Sequence, residues 1–409
     1  MPTPRPPHVS THRLLGALLL AALATTPNNA WARVKLITLP VRERVEIQLD
    51  HPGATLVEEE RIVPLIKGEN QIDFAWANTQ IDPGSIVFRV LGDERDKGPD
   101  VKVLSVSYPP NESALVWTVS ASDSGSARVR ISYLLGNLTK SFNYRAVASH
   151  DEKSLDLSQY MRLQNLANEE FAGAGLWAGF GERFSKEIGL NETKELLVEK
   201  FAGVPIEKTY ACNPQEFDYL DRGQSKLRVP MHYVIKNDKE HGLGAAALPF
   251  GKVRIFIEGA GDDRQAGAAF LGEDWGKFTP RDDEMRLYLG TAQDVVVKRT
   301  IERNEKNRIT GNLFDHELII KYEIENFKKT PVRLDVVENL RHVRSEVRAD
   351  TGRDVEWELG SETTFKEGPE KERSTTEQLV FHAELPAASA DGKAEKQIHK
   401  LHLTLKNEW

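Results

Sequence analysis

An all-β fold, built as two to three antiparallel β-sandwich domains of which the C-terminal one is immunoglobulin-like, is predicted by three observations on this sequence. Apolar residues recur with period two from Val41 to Leu405, as in strands that bury one face. Turn chemistry such as Lys67-Gly68-Glu69-Asn70, Asp82-Pro83-Gly84 and Pro109-Pro110-Asn111 cuts the alternation into short runs. The amphipathic helices that a parallel α/β sheet needs between its strands are missing from the pattern.

In chain order, residues 1–32 come first. They carry Arg5 and Arg13 without an acid, an apolar run from Leu14 to Ala24, and Ala30-Trp31-Ala32. These are the charged region, apolar region and A-x-A cleavage site of a secretory signal peptide. The run is well short of the roughly 20 residues of a spanning helix, so cleavage after Ala32 is expected rather than anchoring. The mature chain, starting at Arg33, would be extracytoplasmic, either periplasmic or secreted, with no membrane span. No cysteine follows the site to carry a lipid, and no Arg-Arg pair marks twin-arginine export.

Residues 33–122 read as an N-terminal β domain, with alternation at Ile72-Phe74-Trp76 and Leu115-Trp117-Val119. Residues 126–306 read as a middle β-rich domain, with strands at Ala127-Val129-Ile131-Tyr133-Leu135 and Val253-Ile255-Ile257. Within it, 192–202 has a helical signature: Asn191 as cap, Leu196, Leu197 and Phe201 on one face, and Gly203 as stop. A strand there stays open, and 155–180 fits either period. The charged run 302–308 then reads as a boundary. Residues 307–409 follow as the immunoglobulin-like sandwich, with strands near 317–325, 332–337, 355–359, 377–385 and 398–405.

Composition narrows the function classes. The 409 residues include 40% hydrophobic and 28% charged ones, within the globular range. With 54 Lys+Arg against 62 Asp+Glu the net charge is −8, which disfavours a nucleic-acid partner. The one cysteine, Cys212, can close no intramolecular disulfide.

Several stretches are similar to the family known as domain of unknown function 4139, related to mucoidy inhibitor A. They are Val229-Pro230-Met231, Leu248-Pro249-Phe250-Gly251-Lys252-Val253-Arg254-Ile255-Phe256, Phe270-Leu271-Gly272-Glu273-Asp274, and Leu287-Tyr288-Leu289-Gly290-Thr291-Ala292-Gln293-Asp294-Val295. Lys67-Gly68-Glu69-Asn70-Gln71-Ile72, Ile81-Asp82-Pro83-Gly84-Ser85-Ile86 and Tyr322-Glu323-Ile324-Glu325-Asn326 extend the resemblance in the same order. It implies an exported, β-rich envelope protein with no established reaction. The long coiled-coil insert of many relatives is absent here.

The residues that can carry chemistry each have a plainer reading. Asp262 and Asp263, with Glu258 and Asp274, offer oxygen to calcium but lack alternating acids, so a solvated hairpin tip is expected. His232, Asp238, Glu240 and His241 crowd ten residues without the H-E-x-x-H spacing of a zinc helix. His399 and His402, three apart on a strand, should face opposite ways. His316, between Asp315 and Glu317, reads as a solvated strand start, and Cys212 lacks a nucleophile signature. Trp76, Trp117 and Trp357 share the parity of core positions, whereas Trp177 and Trp275 are the two suited to a binding surface. Asn111, Asn137 and Asn191 begin glycosylation-type triplets.

The expectation is therefore no catalytic, cofactor-binding or metal-binding residue. The chain reads as an exported non-enzymatic protein that binds or scaffolds an envelope protein or polysaccharide. The alternative is an envelope polysaccharide hydrolase with a carboxylate pair drawn from distant strands.

Overall fold

The computed structural model describes residues 35–408 except 52, 93–97, 179–182, 260–266, 349–355, 367–368 and 372. The signal segment 1–32 and the pair Asp262-Asp263 lie outside the described residues. The chain is all-β: strands account for nearly all regular structure, in five mostly antiparallel sheets, and the one described α-helix is Leu340–Glu346.

Residues up to 41, 61–77 and 90–129 form one compact unit; 42–60, 78–89 and 130 onward form another. The first unit holds a four-stranded sheet in the order Lys35–Thr38, Gly68–Ala75, Ala114–Ala121, Val101–Ser107. Its inward row buries Ile72, Phe74, Leu115, Trp117 and Val119, with the rings of Phe74 and Trp117 5.8 Å apart. Trp76 and Trp117 are core, as their parity implied.

The second unit contains the sheets that matter for function. One, the open sheet, runs Thr193–Pro205, Ser154–Asn165, Leu138–Ala148, Gly251–Ile257, Ala269–Gly276. A second, the shared sheet, runs Glu284–Thr291, Pro230–Lys236, Glu207–Cys212, Val332–Asn339, Gln378–Leu385. A third, the hairpin sheet, runs Lys226–Leu227, Val295–Thr310, Leu313–Asn326, Lys396–Glu408, Glu356–Leu359.

Paired residues share a face, so register shows what each face touches. Tyr210 pairs with Met231 and with Leu334, which puts Cys212, Leu334, Val336, Tyr233 and Ile235 on one face of the shared sheet. Part of that face, with Tyr210, Cys212, Leu334 and Val336, packs on Leu318, Ile320, Tyr322, Leu401 and Leu403 of the hairpin sheet. The rest, with Tyr233, Ile235, Met285 and Leu287, packs on Tyr144, Ala146, Leu157, Val253 and Ile255 of the open sheet. One sheet face therefore closes two hydrophobic cores.

Three expectations are corrected. The segment 192–202 is part of the strand Thr193–Pro205, not a helix; irregularities in its pairing with Ser154–Asn165 shift the phase of its apolar residues, which mimics a helical spacing. The boundary at 306/307 falls inside the strand Val295–Thr310, because the charged run 302–308 is the solvent-facing end of a long hairpin with Leu313–Asn326. The cut at 122–126 likewise separates pieces that interleave, since 42–60 and 78–89 belong with the later residues. The helix Leu340–Glu346, capped by Asn339 through its side-chain oxygen on His342 N, had not been foreseen.

Asn111, Asn137 and Asn191 all have positive φ, near +60°, which accounts for asparagine at these turns. Gly251 is required for a different reason. A Cβ there would lie 2.5 Å from the Phe142 carbonyl oxygen, where the strand Gly251–Ile257 pairs in parallel with Leu138–Ala148.

Because the C-terminal core takes Tyr210, Cys212, Leu227, Val229, Val295 and Val297 from before residue 307, a fragment 307–409 lacks one wall. It is expected to give a coil-like circular dichroism spectrum without a cooperative melt. A sharp β-type transition from that fragment would contradict the shared core.

Candidate functional site

Alternation along Val295-Val297-Arg299 and Val332-Leu334-Val336-Glu338 carries two charged side chains onto inward positions. Arg299 Nε lies 2.5 Å from Glu338 Oε1 and Nη2 lies 3.2 Å from Oε2. Its outer nitrogens also reach Glu346 at 3.0 and 2.7 Å and donate to the Tyr219 hydroxyl at 3.2 Å. The Tyr322 hydroxyl donates to Glu338 Oε1. Burial opposes the guanidinium charge, but Glu338, Tyr322 and Glu346 more than offset it and hold the Arg299 pKa above its ordinary value. All three guanidinium nitrogens are engaged, so this is a buried tie between two sheets and a helix, with no group left to act on a substrate.

The other face of the shared sheet carries a second charged cluster. His382 Nδ1 lies 2.9 Å from Asp335 Oδ1 and Nε2 lies 3.0 Å from Glu370 Oε2. Arg373 Nη1 reaches Asp335 Oδ2 at 2.6 Å. A cleft of about 400 Å³ opens beside it, lined by Glu207, Glu284, Arg286, Arg333, Asp335 and Arg373. Among the carboxylates in and around the clefts of this unit, Glu284 faces Arg286, Glu377 faces Arg341 and Glu384 faces Arg333.

The residues singled out in the sequence are dispersed. Asp238 accepts from His241 N and meets its Nδ1 at 2.6 Å within one turn, while Glu240 is exposed. His232 sits across the strand from Tyr288, rings 5.7 Å apart, and is not joined to that pair. Asp274 caps two backbone amides, those of Trp275 and Tyr288, at 2.8 and 2.7 Å. Glu258 is exposed past the end of its strand. His399 points inward onto Phe365, rings 5.0 Å apart, and His402, paired with Ile319, lies on the opposite face beside Glu317, as the strand spacing implies. His316 is buried in a strand rather than solvated. Cys212 is fully buried, and burial pushes its thiol pKa far up, so it is no nucleophile. Trp177 donates to Glu46 Oε2 at 2.8 Å and is about one-third exposed. Among the described residues no group of three or more His, Cys, Asp or Glu is placed to hold a metal ion.

Trp275 alone among these opens onto a broad surface. It is 52% exposed and stacks on Phe250, itself 56% exposed, with centroids 5.1 Å apart and planes within 3°. It stands on the end strand of the open sheet, whose inner face is buried and whose outer face carries side chains that are half-buried or exposed. Across that outer face, register aligns Trp275, Lys252, Asn143, Tyr160 and Leu197 in one row. The next row is Glu273, Arg254, Arg145, Ser158 and Lys200. Lys252 Nζ is 2.8 Å from Glu273 and 5.2 Å from the Trp275 ring, and Arg145 lies 5.2 Å over Phe256. Asn143, Tyr160 and Lys252 escaped the sequence reading because the row exists only after five strands from 138–276 are paired.

No family model and no curated protein matches this chain. No helix among the described residues is long and apolar enough to cross a membrane.

Two half-buried imidazoles give the fold an acid limb. His232 is held below the ordinary imidazole pKa by burial and then Arg286; His399 by burial and then Lys366. With the folded pKa depressed, the unfolded chain binds more protons below about pH 6.5, so stability falls as pH drops through that value. The variant His232→Gln/His399→Gln should lose less stability than wild type between about pH 7.5 and 5, read from urea midpoints. An unchanged pH slope would contradict this assignment.

Proposed function

We propose that the chain is exported and acts without catalysis, binding or scaffolding a component of the cell envelope, with an immunoglobulin-like sandwich as its C-terminal part. The resemblance to the domain of unknown function 4139 family points the same way, as does the signal-like segment 1–32. The observation that carries the reading is the outer face of the open sheet. It displays Trp275, Phe250 and Leu197, each more than half exposed, among polar side chains on a sheet whose inner face is packed. Large exposed aromatics on such a face mark an interaction surface. Several carboxylates near the clefts, Glu284, Glu377 and Asp335 among them, are held in ion pairs, which suits charge-paired walls better than a general acid and base.

The test is cosedimentation of the mature chain 33–409 with isolated envelopes, together with an assay for released reducing ends. The reading expects binding that weakens at least tenfold with Trp275→Ala, and no sugar release. Turnover of envelope polysaccharide would overturn it in favour of a hydrolase. N-terminal sequencing of the exported protein should begin at Arg33; protein retained in the cytoplasm with Met1 intact would refute export.

A further inference from the structure

We infer that the outer face of the open sheet binds an acidic polysaccharide, a polymer of pyranose rings bearing carboxylates; this rests on the binding reading above and names its ligand. Neighbouring strands are about 4.8 Å apart, so Trp275 and Tyr160, three strands apart in one row, stand roughly 14 Å from each other. A row of this length suits an extended chain laid across the strands. The stacked Trp275–Phe250 pair, each ring more than half exposed, and the half-buried Tyr160 supply apolar contact for the C–H faces of pyranoses at its two ends. Between them Asn143, whose Nδ2 donates to Glu195 Oε1 at 2.8 Å, and Lys252, whose Nζ donates to Glu273 Oε1 at 2.8 Å, have further N–H hydrogens to offer a ligand.

The adjacent row sets the charge preference. Arg145 and Arg254 lie two residues along their strands from Asn143 and Lys252, about 7 Å to one side, and Lys200, three residues from Leu197 across an irregularity in the ladder, continues their row. Arg162 flanks the row on the other side, paired with Glu195. Over this face Arg145, Arg162, Lys200, Lys252 and Arg254 outnumber Asp156, Glu195 and Glu273, although the whole protein carries a net charge of −8. Glu273 serves two cations, Lys252 at 2.8 Å and Arg254 at 3.6 Å, and Arg145 rests over an aromatic ring. Guanidinium groups so placed match carboxylates substituted on the pyranose chain. A nucleic acid would also offer rings and anions, but its phosphate density calls for a strongly basic protein, and this one is acidic.

Affinity electrophoresis and calorimetry of the full mature chain on polygalacturonate, dextran and single-stranded DNA test the inference. Polygalacturonate should bind, dextran and DNA should bind at least tenfold more weakly, and affinity should fall as salt rises. Trp275→Ala and the pair Arg145→Ala/Arg254→Ala should each weaken polygalacturonate at least tenfold, with Trp275→Phe keeping most of the affinity. Unchanged circular dichroism confirms that these exposed substitutions leave the fold intact. Equal binding of DNA, or polygalacturonate affinity that survives Trp275→Ala, would overturn the proposal. Envelope cosedimentation without polygalacturonate binding refutes the ligand and leaves the binding reading standing; loss of both refutes both.

Discussion

The guanidinium of Arg299 is the point on which the C-terminal half of this molecule turns. It lies in a strand of the hairpin sheet, meets Glu338 on the shared sheet and Glu346 on the helix, and shares Glu338 with the Tyr322 hydroxyl. Placing such charges in a protein interior costs several kcal/mol per ion, and only complete hydrogen bonding offsets that cost. A tie of this kind is specific rather than merely adhesive. A slip of either strand by one residue would turn Arg299 or Glu338 outward and strand its partner in the core. The two sheets are thus held in one register by a polar constraint set within an apolar seam.

From that register the packing of the shared and open sheets in the second unit follows. The shared sheet is aligned on the hairpin sheet through Leu334, Val336, Ala383 and Leu385, and its remaining strands carry Tyr233, Ile235, Met285 and Leu287 to the open sheet. The inner face of the open sheet is consumed by this packing, with Val253 and Ile255 fully buried. Its outer face, with Trp275 at the edge, is left to solvent as a rigid platform. Tyr233 adds a second polar tie: its hydroxyl donates to Glu152 at 2.5 Å, and Lys208 reaches the same carboxylate at 2.7 Å. Burial disfavours the Glu152 charge, but these two partners hold its pKa below the usual carboxylate value.

Local alternation made the strands legible. Leu318, Ile320, Tyr322 and Ile324 are all fully buried, as their spacing implies, and Trp117 follows its own row. What failed were inferences that needed the partner strand. Leu196, Leu197 and Phe201 look helical because the ladder to Ser154–Asn165 is irregular, and nothing local to 192–202 shows that ladder. The run 302–308 looks like a linker because the far end of a long hairpin is solvated on both faces. At the candidate surface Trp275 was visible by its polar and small neighbours. Tyr160, Asn143 and Lys252 were not, since the parallel pairing of 251–257 with 142–148 spans over a hundred residues of chain. The phase of the Val295-Val297-Arg299 and Val332-Leu334-Val336-Glu338 runs did hold the signal for the buried pair, because a charge on an inward position demands a partner.

The most direct test of the Arg299 tie is a set of urea unfolding curves for Arg299→Met, Glu338→Leu and the double variant. Arg299→Met leaves Glu338 buried without its cation, and Glu338→Leu leaves Arg299 with Glu346 as its remaining carboxylate; each is expected to cost about 3–5 kcal/mol, whereas the double variant, with both buried charges replaced by apolar groups, should recover part of that loss. Single variants that cost under about 1 kcal/mol, or a double variant whose losses simply add, would show that the register of the two sheets does not depend on this pair.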